Sequence, residues 1–187
     1  TGGSSALTGS TINNATVEGV NIDAITGYVF DWTGVSGLFA ITNTAITNSD
    51  SLLRLNDSSA NIDLSAFDIT TTGASASLVD IDGLSGGTVL LGNLSSTGST
   101  ATQVVNVVNH TGGTLNLESV NVTGFNNAAG SAVVLSGVGA VEFGALDISR
   151  INGRGYHIDN NGFAYSRLYF NIFFHELKAV HNRHVDV

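Results

Sequence analysis

An arginine and two aspartates stand where alternation would bring them onto one surface. Arg54 lies between Leu53 and Leu55, Asp80 lies between Val79 and Ile81, and Asp82 follows directly. In a strand with one buried face, the residue between two buried ones points outward. The same reasoning places Asn106, Val134 and His157 outward, followed by Asn56, Asp82, Val108, Ser136 and Asp159. Two carboxylates and a cation on one face have the composition for acid–base work on a glycan, or for holding a calcium ion. Against catalysis stand the short loops at 48–51 and 98–102, which leave no walls for a cleft, and the decay of the face to Val108 and Val134. The favoured reading is a solvated face carrying a local ion pair.

A second set of polar residues is Thr47, Thr70, Thr97, Thr123 and Ser149, each placed just after an alternating strand. Threonine columns on a flat sheet are candidates for binding ice or another ordered surface. That use favours two adjacent threonine columns, and the neighbouring residues Ala45, Asp68, Ser95, Asn121 and Asp147 are uneven and partly charged. Stacked hydroxyls that satisfy one another are the simpler expectation.

Other motifs fall short of their chemistry. His175-Glu176 lacks the second histidine four residues on that a zinc-protease helix needs, because position 179 is Ala. His181 and His184 read as a surface cluster. Gly83-Leu84-Ser85-Gly86-Gly87 leads into a strand rather than a helix, so it is no phosphate loop. The glycine-rich calcium nonapeptide is absent. Sequons at Asn14, Asn56, Asn93, Asn109 and Asn121 are about as many as this composition yields by chance. No cofactor or metal is expected.

The elements that would position these residues repeat. Apolar pairs recur as Phe39, Ile41, Thr44, Ile46; Ile62, Leu64, Phe67, Ile69; Val89, Leu91, Leu94, Ser96; Leu115, Leu117, Val120, Val122; and Val141, Phe143, Leu146, Ile148. A weaker copy at Ile12, Ala15 and Val17 opens the series. Corners are expected at Asn13-Asn14, Thr42-Asn43, Ser65-Ala66, Gly92-Asn93, Glu118-Ser119 and Gly144-Ala145. A further strand per repeat carries Leu53/Leu55, Val79/Ile81, Val105/Val107, Val133/Leu135 and Tyr156/Ile158. Three short strands and three corners in about 26 residues describe one coil of a β-solenoid. Six coils at about 4.8 Å each give a rod roughly 29 Å tall. A β-sandwich would not require this phase at near-constant spacing.

The pattern resembles right-handed parallel β-helix proteins, the group of pectate lyases, autotransporter passengers and large secreted bacterial adhesins. The resemblance covers about residues 10–160, and Asn14, Asn43 and Asn93 are similar to that fold's asparagine ladder. It implies that the strands at 53–55, 79–81 and 105–107 form the sheet that carries catalysis in the family's polysaccharide enzymes.

Composition agrees and narrows the function. The 187 residues include 23 glycines and no proline, cysteine or methionine. Disulfide scaffolds, cysteine zinc sites and collagen are excluded. No apolar run reaches the roughly 18 residues of a membrane span, and a net charge of −9 argues against nucleic acid. A start at Thr1-Gly2-Gly3 suggests a processed or excised piece. Residues 1–149 hold Arg54 as their one basic residue, whereas 150–187 hold five basic residues and four of the five histidines. A β-helix domain is therefore expected over 1–160. A capping or association tail is expected over 161–187, where Leu168, Phe170, Ile172 and Phe174 alternate. The leading functional expectation is a non-catalytic structural or adhesive segment of a larger extracellular or surface protein, bacterial or phage. Its partners would be a glycan, a surface ligand or another copy through the solenoid ends. The alternative is a polysaccharide lyase or hydrolase using Arg54, Asp80 and Asp82.

Overall fold

A computed structural model describes residues 5–137 and 139–159; the expected tail at 161–187, with His175, His181 and His184, lies outside them. The described chain is a parallel β-solenoid of about six turns with a spacing near 26 residues, 73% strand and no helix.

One face is built from β1 (Ser5–Ser10), β4 (Tyr28–Thr33), β7 (Ser51–Ser58), the start of β10 (Val79–Thr97), β11 (Gln103–Val108), β13 (Asn126–Ser136) and β15 (Asn152–Asp159). All pair in parallel in that order. Leu7, Phe30, Leu53, Val79, Val105, Val133 and Tyr156 align in one column. Alternation turns the five from Phe30 to Val133 into the core, where they are buried. A second column aligns Gly9, Trp32, Leu55, Ile81, Val107, Leu135 and Ile158. These are the strands the sequence places at 53–55, 79–81, 105–107, 133–135 and 156–158.

The opposite face runs through β2 (Asn13–Glu18), β5 (Ser36–Thr42), β8 (Asn61–Leu64), the second part of β10, β12 (Gly112–Thr123) and β14 (Ala140–Ser149). Its inner column of Ala15, Phe39, Ile62, Val89, Leu115 and Val141 follows the repeat. Each coil is too thin to bury its own apolar ring, and stacking makes one continuous core.

Three expectations are corrected. The first coil is in register through Val17 opposite Ile41, not through Ile12, which instead lies one corner earlier with its carbonyl bonded to Ser36. The corners at Gly92-Asn93, Glu118-Ser119 and Gly144-Ala145 are bends inside the long strands β10, β12 and β14. The third coil turns at Ser65-Ala66, and the first two turn sharply at Gly19 and Asn43, both with positive φ. That turn splits off a small separate sheet of β3 (Asn21–Asp23) and β6 (Ala45–Thr47). Finally, the third coil has a longer corner at 65–68, so β9 (Ile69–Thr72) pairs with β10 through Ile69 opposite Leu94. The two additional residues move the register by two, which keeps every side chain on its expected face.

The asparagine ladder is partial. Asn43 and Asn93 hold equivalent corner positions, but Asn14 lies at a different corner, where its Oδ1 accepts from the Leu38 amide at 2.8 Å.

Candidate functional site

The outward face of the first sheet carries the residues singled out by chemistry. Thr8, Asp31, Arg54, Asp80, Asn106, Val134 and His157 align in one column. Ser10, Thr33, Asn56, Asp82, Val108, Ser136 and Asp159 align in the next. Arg54 and Asp80 are thus cross-strand neighbours on adjacent coils, with Asp82 on the same strand as Asp80.

The side chains do not form one constellation. Arg54 turns away from Asp80 and grips Asp31 with both Nε, at 2.8 Å, and Nη2. Its guanidinium lies 5.1 Å from the Tyr28 ring centroid. Ser5 Oγ donates to Asp31 at 3.3 Å. The Arg54 bond holds the Asp31 carboxyl below its ordinary range, and Asp31 in turn raises Arg54. With 43% of the Arg54 side chain exposed, solvent screens the pair, and such bridges contribute about 0–1 kcal/mol. Asp80 accepts from Asn106 Nδ2 at 2.8 Å, and Asp82 accepts from Asn109 Nδ2 at 2.8 Å. The two carboxylates are therefore each tied to the following coil. Asp31 was missed in the sequence although it lies one coil spacing before Arg54.

Burial pushes the Tyr28 phenol up to about 12, with the Asp80 charge adding to it. A phenol that stays neutral in the fold stabilises it fully below the ordinary value of 10. That stability is lost as pH rises from 10 through about 12. Urea midpoints measured from pH 9 to 12 should fall for the native chain and stay flatter for Tyr28→Phe. Parallel curves would disprove the assignment.

A shallow groove of about 510 Å³ lies beside Arg54, lined by Thr8, Ser10, Asp31, Thr33 and Asn56. It does not extend over Asp80 or Asp82. A second depression of about 420 Å³ on the opposite face holds Glu118, Glu142 and Asn116 beside Leu90 and Phe143. Among the described residues, no group of three or more His, Cys, Asp or Glu is gathered to hold a metal ion.

The threonine column is re-registered by the long corner of the third coil. Thr72, not Thr70, stands beside Thr97, Thr123 and Ser149. Thr70 heads the adjoining column with Ser95, Asn121 and Asp147. Thr47 belongs to the small separate sheet, where its hydroxyl donates to Asp23 at 2.6 Å. Further along, Thr123 is bonded to Ser149 at 3.2 Å and to Asn121 at 3.3 Å. No family model, curated protein or solved structure matches the chain, and its own side-chain ladders are the ground on which function is read.

Proposed function

We propose that the chain is a non-catalytic structural or adhesive segment of a larger secreted or surface protein. One observation carries this reading: the outward polar side chains are used to join neighbouring coils. Asp31 with Arg54, Asp80 with Asn106, Asp82 with Asn109, Asp23 with Thr47, Asp68 with Asn93, Asn93 with Ser119, and Asn126 with Asn152 all bridge successive turns. An enzyme of this shape would hold its carboxylates toward substrate beneath loop walls. Here they are joined to asparagine or arginine, and among the described residues the groove beside Arg54 does not reach Asp80 or Asp82. A rod cross-linked in this way resists local opening, and its surface of hydroxyls and amides suits contact with neutral glycan. The groove beside Arg54 and Asn56 offers donors and acceptors at the coil rise of about 4.8 Å. Association of copies through the solenoid ends belongs to the same reading, since among the described residues β1 and β15 are the end strands of their sheet and an unpaired edge invites pairing.

The test is a glycan-degradation screen on the full chain with Asp80→Asn and Asp82→Asn beside it. No chain-dependent cleavage is expected from any of the three proteins. Cleavage by the native chain that disappears in either variant would replace this reading with the lyase or hydrolase one, with Arg54, Asp80 and Asp82 as its machinery.

A further inference from the structure

His110 is a buried histidine in a core position whose two ring nitrogens lack a well-formed hydrogen bond. It follows Asn109 at a corner where the backbone has positive φ, and it fills the place taken by Ile12, Val35, Ser58 and Leu84 in earlier coils. Its side chain is 0% exposed, and neither Nδ1 nor Nε2 has a hydrogen-bond partner. The other polar residue of the column, Ser58, is satisfied: it donates to the Val35 carbonyl at 3.1 Å and accepts from the Ala60 amide at 3.2 Å. Among the described residues, His110 is the one fully buried titratable side chain.

We propose that the His110 corner is an acid-sensitive latch: protonation of this buried imidazole opens the corner at which residues 109–113 are bonded to Ser136 and Gly139 of the next coil. The charged ring would need an acceptor for each N–H or water; the Gly113 and Gly112 backbone lies near enough to favour the charged form in part, but neither ring nitrogen is in a formed hydrogen bond in the closed corner. Carboxylates on the strands around it are Asp80 and Asp82 of β10, Glu118 of β12, and Glu142 and Asp147 of β14. Neither β11 nor β13 carries one. All five lie on outward positions, and none contributes to the ring's titration. Burial lowers the pKa of His110 and the backbone of Gly113 and Gly112 opposes this only in part. A base whose pKa is lowered in the fold stabilises it fully above the ordinary value of about 6.5. That stability is lost as pH falls through 6.5 toward the folded-state value.

The test compares urea denaturation of the full chain with that of His110→Leu, since leucine already fills this position at Leu84. Below pH 6.5 the native folding constant should fall about tenfold per pH unit relative to the variant, until the folded-state value is reached. Histidines shared by both proteins, such as His157, cancel in the ratio. A ratio constant from pH 7.5 to 5 would overturn the proposal. Should His110→Leu not fold, the ring is titrated by NMR in the native chain. A ring that stays neutral well below pH 6.5, with loss of amide protection at Asn109, Thr111 and Gly139 when it does protonate, supports the latch. A ring that titrates near 6.5 in an intact fold refutes it.

Discussion

Replacing Gly87 with alanine should destabilise the solenoid by about 2–5 kcal/mol. A Cβ built there would lie 2.1 Å from the Ala60 carbonyl oxygen and 2.6 Å from its carbon, and the backbone has φ +76. A side chain in the left-handed region costs about 1–2 kcal/mol. Forcing packed backbone apart adds about 1–3 kcal/mol. The contact cannot be relieved by a rotamer, because the obstructing atoms are main chain from the preceding coil. The ladder slips in register nearby, between Ser85 and Thr88, where the chain crosses close over its neighbour. Gly98→Ala is the control: φ there is +65 and nothing lies within 4 Å of the added Cβ. It should show the left-handed cost alone, about 1–2 kcal/mol. Urea midpoints of the two variants, at matched slope, separate the effects. Equal losses would mean that backbone conformation rather than close approach governs the Gly87 position.

The inner columns of the rod were legible because burial has period two in a strand and each coil repeats the pattern. Phe39, Ile62, Val89, Leu115 and Val141 are stacked as the repeat requires. What the repeat could not resolve is a shift by two, since that preserves the face of every side chain. Phe67 and Ile69 imitate Leu94 and Ser96 in spacing, yet Phe67 belongs to an inserted corner, with its ring 6.4 Å from Phe30. The true partner of Ser96 is Thr71, a small polar residue buried beside it, with hydroxyls 3.4 Å apart. That match of two inward hydroxyls was available in the sequence as a clue to register, but apolar alternation outweighed it.

The candidate site was legible as a position and not as a set of contacts. Register placed Arg54, Asp80 and Asp82 on one face as expected. Which neighbour a long side chain chooses depends on both adjacent coils, and alternation along the Arg54 strand does not decide between them. The coil before it supplies Asp31, and also Tyr28, on which the guanidinium rests. His110 escaped for another reason: the strand pattern describes sheets, and His110 is in the corner between two of them.

Phe30→Ala should remove about 3–5 kcal/mol, the range for truncating a fully buried aromatic. The Phe30 ring lies 5.0 Å from Trp32 and 6.4 Å from Phe67, and Trp32 in turn lies 4.7 Å from Phe39. It links both faces of the early coils, between Leu7 and Leu53 in its own column. In a stacked array each coil contacts chiefly the next, so the loss should be spent locally. Hydrogen exchange should then show β1, β4 and β5 opening first while β11 and β13 keep their protection. The strand pairing supports that asymmetry, because β1 is an end strand of its sheet with β4 as its one partner there. A uniform loss of protection over all strands would instead mean that the coils fold as one cooperative unit. The side-chain bridges between turns would then transmit stability along the whole described rod rather than from coil to coil.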